Sequence, residues 1–294
     1  MKRTFFLLIA SVILLFLFAC NSNKQKENGH LLTVTIEPQR FFLERIVGNQ
    51  FEVNTLVPPG TSPETYEPAP ATMINLGKSE AYFKVGFLGF ENVWSENLSK
   101  NNPDVKVFDC SVEIDLIQDS HEHAGEHEHH LGGADPHIWS SPKTAKVMAR
   151  NMFDAVVSID PEGKDYYQQN FDSLNMLIDK TDSTITSLLK NIPTRSFILY
   201  HPALAYFARD YGLKQYTIEF EGKKPSPVQI KNMVDLANKE NIDIIFIQQG
   251  FDSKNAEVIA NEIGAKIYTI NPLAYEWDKE MLQIAQILAG KANE

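Results

Sequence analysis

DPEGKDYYQQNFDSLNMLIDKTDSTITSLLKNIP, residues 160–193, is the stretch on which the fold turns. Asp160 suits a helix N-cap, Pro161 the first helical position, Glu162 the positive end of the helix dipole, and Pro193 stops the run. Within it Tyr167, Phe171, Leu174, Ile178, Thr181, Ile185, Leu188 and Ile192 recur in alternating steps of four and three, so one stripe faces protein along the whole length. An unbroken helix over Pro161–Ile192 is about 48 Å long at ~1.5 Å per residue. The charges that would flank a coiled-coil seam pair poorly, which favours a rigid spine between two bodies over a dimer.

On either side of the spine the chain repeats one rhythm. Before it, LLTVTIE (31–37), FEVNTLV (51–57), AYFKV (81–85) and VKVFDC (105–110) read as strands, with helical spacing over Phe41–Val47, Ala71–Leu76 and Glu91–Leu98. After it, SFILY (196–200), QYTIEF (215–220), DIIFIQ (243–248) and KIYTI (266–270) alternate with helices over Ala203–Tyr211, Pro227–Asn241 and Ser253–Ile263, and Glu276–Leu288 closes the chain. Another helix starts at Ser141-Pro142. Alternation of strand and helix predicts an α/β fold of two βα lobes, each with a four-stranded, mainly parallel sheet, joined by one long rigid helix. The expected division is 1–19 signal peptide, 20–30 tether, 31–158 N-terminal lobe, 159–193 linker helix and 194–294 C-terminal lobe.

Lys2-Arg3, an apolar run from Phe5 to Phe18 and a Leu17-Phe18-Ala19-Cys20 ending have the layout of an export signal. The ending resembles a bacterial lipobox, which makes Cys20 the expected lipid anchor and places the protein in the bacterial cell envelope, in the periplasm and held to a membrane. Asn21 to Gly29 is polar and reads as a tether. The other cysteine, Cys110, has no disulfide partner once Cys20 is modified, so a metal site must be built from His, Asp and Glu. Removing residues 1–19, with Lys2 and Arg3, takes the net charge from −11 to −13, which excludes nucleic acid as a partner and suits a body that attracts cations.

Two chemistries sit side by side in HEHAGEHEHHLGGADPHIWSSP, residues 121–142. The tract with His121, His123, His127, His129 and His130 alternates imidazole and carboxylate, has no apolar residue but Ala124, and reads as a surface loop (119–133) that offers weak metal sites. His137 is held instead between Asp135-Pro136 and Ile138-Trp139, where proline restricts the backbone. In open α/β sheets ligands gather at the carboxyl ends of strands. Glu37, Glu64, His201, Glu219, Glu221, Gln248, Gln249 and Asn271 all follow strands or lie in the loops after them. Trp94, Trp139 and Trp277 read as packing residues.

The segments PPGTSPETYEPAP, DPHIWSSP, YHPALAYFARDYGL, KKPSPVQI and IYTINPL, in that order around a long central helix, resemble the signature segments of the zinc/manganese-type substrate-binding proteins of ABC importers, and the acidic His-rich insert resembles that of the zinc-uptake members. The likeness covers nearly all of the chain after the signal. It implies two lobes on one rigid helix that hold a metal in their cleft, a permease with its ATPase as partner, and no catalysis; a monomer is expected. Position by position, His137 and His201 match two histidine ligands of the family. Glu64 stands where the family often has histidine, and Asn271 where it often has aspartate before Pro-Leu. Three imidazoles with one carboxylate, and two imidazoles with one carboxylate and one amide, carry the same charge. Glu64, His137 and His201 are therefore expected to bind Zn²⁺, with the fourth ligand open among Asn271, Glu37, Glu219, Glu221, a second oxygen of Glu64 and water. The carboxylate hardens the site toward Mn²⁺ or Fe²⁺. Alternatives are an envelope zinc hydrolase with a His₂Glu-water site, for which HExxH is lacking, and a zinc store or adhesin without a transporter.

Overall fold

Short strands covered on both faces pair in parallel when helices carry the chain back across the sheet, and both halves of this chain are built that way. The computed structural model describes residues 30–118, 133–219 and 224–291, without the side chains of residues 92, 93, 95, 96, 98 and 99. The first half runs β1 (Leu31–Val34), α1 (Glu37–Val47), β2 (Glu52–Thr55), α2 (Pro70–Leu76), β3 (Ala81–Lys84), α3 (Gly89–Asn101) and β4 (Lys106–Asp109). Its sheet has the order β2-β1-β3-β4, parallel throughout. After α4 (Pro142–Ile159) and α5 (Lys164–Leu189) the second half runs β5 (Ser196–Leu199), α6 (Ala205–Tyr211), β6 (Lys214–Thr217), α7 (Pro227–Glu240), β7 (Ile244–Gln248), α8 (Lys254–Ile263), β8 (Lys266–Ile270) and α9 (Trp277–Leu288). Its sheet repeats the order as β6-β5-β7-β8, again parallel. In each sheet the strand order reverses beside the first strand. The crevices that ligands use therefore open past the carboxyl ends of β1 and β3 and of β5 and β7.

The spine is α5, and it is shorter than its sequence suggests. Pro161–Gly163 forms a 3-10 turn, the α-helix spans 26 residues from Lys164 to Leu189, and at ~1.5 Å per residue it is about 39 Å long. At its start the ring of Tyr167 takes the place of a cap. Its hydroxyl donates to Asp160 at 2.6 Å, so that carboxylate does not cap, and the ring lies so close over Gly163 that a Cβ there would meet it at 2.5 Å. The buried stripe follows the expected one through Tyr167, Phe171, Leu174, Ile178, Thr181 and Ile185, and then shifts: Leu189 is buried where Leu188 was expected, and Ile192 lies beyond the helix.

A single core runs through both sheets. The inward residues of the second sheet, Phe197, Leu199, Phe246 and Ile270, join the cluster that contains Leu32, Phe83 and the stripe of α5. Their alternating neighbours Ile198, Ile245 and Ile247 face α7 and α8 in a smaller cluster with Ala237 and Ile259. Helix α9 packs on α5, and Trp277 at its start lies against Phe41 and Phe42 of α1. Hydrogen bonds cross between the halves at the same place. Trp139 donates its indole N–H to the carbonyl of Pro272 at 2.9 Å, and Trp277 donates to the carbonyl of Trp139 at 2.6 Å. On the far side Tyr206 donates to the Asp135 carbonyl at 2.7 Å and accepts from the Ile117 N–H at 3.3 Å.

Candidate metal centre

Three elements bring one side chain each to the cleft. Glu64 rides on the loop between β2 and α2, a segment whose prolines (58, 59, 63, 68) exclude helix and sheet. His137 directly precedes a 3-10 turn, Ile138–Ser140, that delivers the chain to α4, where the Ser141 hydroxyl caps the first turn as expected. His201 follows β5 at the switch point, and Gln248 at the end of β7 fixes it by accepting from its N–H at 3.2 Å and donating to its carbonyl at 2.5 Å. One donor atom from each of the three residues lies within 4.8 Å of the others.

The imidazoles are turned by carboxylates. The Nδ1 atom of His137 is 2.9 Å from Asp135 Oδ1, and Nδ1 of His201 is 3.0 Å from Glu219 Oε2. A carboxylate only accepts, so both Nδ1 atoms carry hydrogen and both Nε2 atoms face the cleft. These Nε2 atoms converge on one oxygen: Oε1 of Glu64 lies 2.9 Å from that of His201 and 3.4 Å from that of His137. A carboxylate behind the ligating histidine is the usual way of fixing its ring and raising its basicity at a metal. Aromatic rings complete the walls, with Trp139 5.2 Å from the His137 ring and Phe251 stacked at 5.6 Å on His201.

The electrostatics are those of a cluster that holds protons where it would hold a cation. Burial pushes His137 down, but the charge of Asp135 and hydrogen bonds to Asp135 and Glu64 outweigh it and raise the imidazole to about 10. His201 is raised as well: burial opposes, while hydrogen bonds to Glu219 and Glu64 favour the charged ring. Burial would push Glu64 up, but hydrogen bonds from His137 and His201 and their positive charge hold its carboxyl well below the usual carboxylate range.

Other residues singled out in the sequence are placed differently. Glu37 opens α1 and pairs with Arg40 at 3.0 Å. Asn271 braces a turn: its backbone N–H donates to Glu280 at 2.7 Å and its side-chain oxygen accepts from the Leu273 N–H at 3.3 Å. Both line the cleft, and Glu37 does not join the three donors. Glu219 stands behind His201. Glu221, the five histidines 121–130 and Cys20 lie outside the described residues. The insert's flanks are described, and they meet beside the site: Gln118 bridges to Ala134, and Asp135 donates its N–H to the Ile117 carbonyl at 2.8 Å. Sequence reasoning missed Asp135 as a working residue. The signal was its place two residues before His137, a spacing that lets its carboxylate reach both the backbone N–H (2.8 Å) and the ring.

A family model described as zinc-uptake complex component A, periplasmic, matches residues 32–284. The chain belongs to this family. Among similar proteins, the high-affinity zinc uptake system protein ZnuA of Bacillus subtilis is 28% identical over 285 residues, covering 91% of this chain and 88% of the relative. The zinc-binding lipoprotein AdcA of Streptococcus pneumoniae is 26% identical over 279 residues, and the match takes in 91% of this chain but 54% of AdcA. A crystal structure of ZnuA shares the fold with a TM-score of 0.81 at 36% identity, over 89% of this chain and 98% of that one. As a member of the zinc-uptake family, the chain is a zinc substrate-binding component of an ABC importer in the cell envelope.

Proposed function

We propose that Glu64, His137 and His201 hold one Zn²⁺, that Asp135 and Glu219 orient the two imidazoles, and that the loaded protein hands the ion to an ABC permease driven by its ATPase. What carries this reading is the convergence of both Nε2 atoms on one carboxylate oxygen. Two imidazoles favour zinc over the harder Mn²⁺ and Fe²⁺, which the carboxylate still admits. The family gives no support to a hydrolase. The reading extends to the ends of the chain. Residues 1–19 direct export, Cys20 carries a lipid that ties the protein, a monomer, to the membrane, a reading supported by the similarity to the zinc-binding lipoprotein AdcA, and the His-rich insert collects zinc at weak sites close to the cleft. Retention of a Cys20→Ser protein in the membrane fraction would overturn the anchor.

The reading is tested by competitive zinc titration of the protein without residues 1–19, intact and with His121–His130 deleted. One tight site is expected in both, preferring Zn²⁺ to Mn²⁺, with weaker sites in the intact chain alone. Loss of the tight site on deletion would mean that the insert supplies a ligand.

The same titration run against pH reads the protons. Zinc must displace the proton from His137, which stays charged until pH rises toward about 10, and it competes as well with the proton that Glu219 and Glu64 help His201 to hold. Each displaced proton changes affinity by about tenfold per pH unit. Affinity is therefore expected to climb through neutral pH up to pH 8 and beyond, where an unperturbed histidine would level off above ~6.5. A plateau from pH 7 upward would show that Asp135 and Glu64 do not hold the His137 proton.

A further inference from the structure

The two imidazoles come from different halves of the chain, and a buried phenol ties one to the other. His137 belongs to the first half and His201 to the second, yet their rings lie 5.3 Å apart, edge to face. Tyr206 stands five residues after His201, in the first turn of α6, and is 0% exposed. Its hydroxyl donates to the Asp135 carbonyl at 2.7 Å and accepts from the Ile117 N–H at 3.3 Å. Asp135 in turn holds the backbone N–H of His137 at 2.8 Å and its Nδ1 at 2.9 Å. Burial pushes the phenol up to about 12, so the donor keeps its proton. The path from one ring to the other thus runs through Tyr206 and Asp135, and it passes through neither the spine nor a sheet.

That path has little slack. The N–H and the carbonyl of His201 are both bonded to Gln248, the same carbonyl accepts from the Ala203 N–H at 2.7 Å, and the Leu204 N–H donates to Gln215 at 2.8 Å. At the other end the Asp135 N–H donates to the Ile117 carbonyl at 2.8 Å and the Ser140 N–H to that of His137 at 2.9 Å. Arg209 lies 5.0 Å over the Tyr206 ring and donates to the Asp115 carbonyl at 2.6 Å. Trp139 is held as well, by Pro272 and Trp277, but those residues stand on other segments than His201. A binding constellation has to be kept within about 0.5 Å of its working geometry, and selection among divalent metals rests on geometry and ligand type more than on raw affinity. We propose that Tyr206 is a positioning residue that sets the spacing of the His137 and His201 imidazoles, and so favours tetrahedral Zn²⁺ over Mn²⁺, which takes more oxygen ligands and depends less on a fixed pair of nitrogens. This rests on the zinc site proposed above.

The test is competitive titration of Zn²⁺ and of Mn²⁺ into Tyr206→Phe, in the protein without residues 1–19, with far-UV circular dichroism to follow folding. The substitution keeps the ring and removes the hydroxyl. Zinc affinity at the tight site is expected to fall about tenfold, the lower end of what supporting groups cost. Manganese affinity should hardly move, so the preference for zinc narrows by the same factor, and the visible spectrum of Co²⁺-loaded protein should shift with the nitrogen geometry. Tyr211→Phe is the control: on the same helix, its hydroxyl donates to Asp182 at 2.6 Å, away from residues 135–137. It should keep the wild-type preference and spectrum. Equal weakening of both metals in Tyr206→Phe would mean a general loss of stability and would overturn the positioning role. Wild-type zinc affinity and an unchanged Co²⁺ spectrum, or the same narrowing in Tyr211→Phe, would overturn it too. If Tyr206→Phe does not fold, Arg209→Met loosens the ring from its exposed side; a narrowed preference is expected there, and an unchanged one overturns the proposal. Failure of the wild type to bind zinc would overturn the zinc site and this inference together.

Discussion

Replacing His137 by alanine is expected to lower zinc affinity by two to three orders of magnitude and to leave the fold in place. Zinc sites with four protein ligands are worth about 10–16 kcal/mol at neutral pH, so one ligand accounts for roughly 3–4 kcal/mol, or about two to three decades in Kd. The fold survives because the buried ring touches Trp139 and His201 at the cleft wall and belongs to neither sheet, while its backbone N–H keeps its bond to Asp135. His201→Ala is expected to do the same. Glu219→Gln is the graded comparison. It keeps the size of the residue behind His201 but removes its charge, and changes in such supporting groups cost about 10–100-fold. Competition against a chromophoric chelator measures all three, with far-UV circular dichroism as the control for folding. Wild-type affinity in His137→Ala would remove that residue from the site, and a larger loss in Glu219→Gln than in His201→Ala would make Glu219 a ligand.

That grading also explains what the sequence showed and what it hid. The eight strands were legible because short β-branched and aromatic runs between polar helices admit few other readings. Helix α1 begins at Glu37, four residues before the apolar spacing that marks it, since Glu37-Pro38 looks like a strand end although proline fits a first helical turn, where no N–H is needed. Glu64, His137 and His201 were legible as loop residues beyond strands. Their supporters were not. A glutamate that binds a metal and one that turns an imidazole are the same letter, and only the choice between Nδ1 and Nε2 separates Glu219 from Glu64. Asn271 was a candidate for the same reason, and its side-chain oxygen accepts from the Leu273 N–H.

Truncating Trp277 to alanine is expected to destabilise the protein by about 3–5 kcal/mol, the usual cost of removing a buried aromatic side chain. The residue is 1% exposed, packs against Phe41 and Phe42 of the first half, and donates to the carbonyl of Trp139. Trp277→Phe separates the two contributions. It keeps an aromatic ring and loses the hydrogen bond, so about 1–3 kcal/mol is expected from the orphaned carbonyl. Denaturant unfolding measures both, and a smaller midpoint loss in the alanine variant than in phenylalanine would contradict a packing role. The functional consequence is mechanical. The wild-type halves share one core, so X-ray scattering profiles of metal-free and zinc-loaded protein should nearly coincide, with metal entry left to the loop that carries Glu64. In Trp277→Ala the seam is loosened, and a zinc-dependent change in radius of gyration should appear. A large change already present in the wild type would mean that the core yields to the metal and that the spine acts as a hinge.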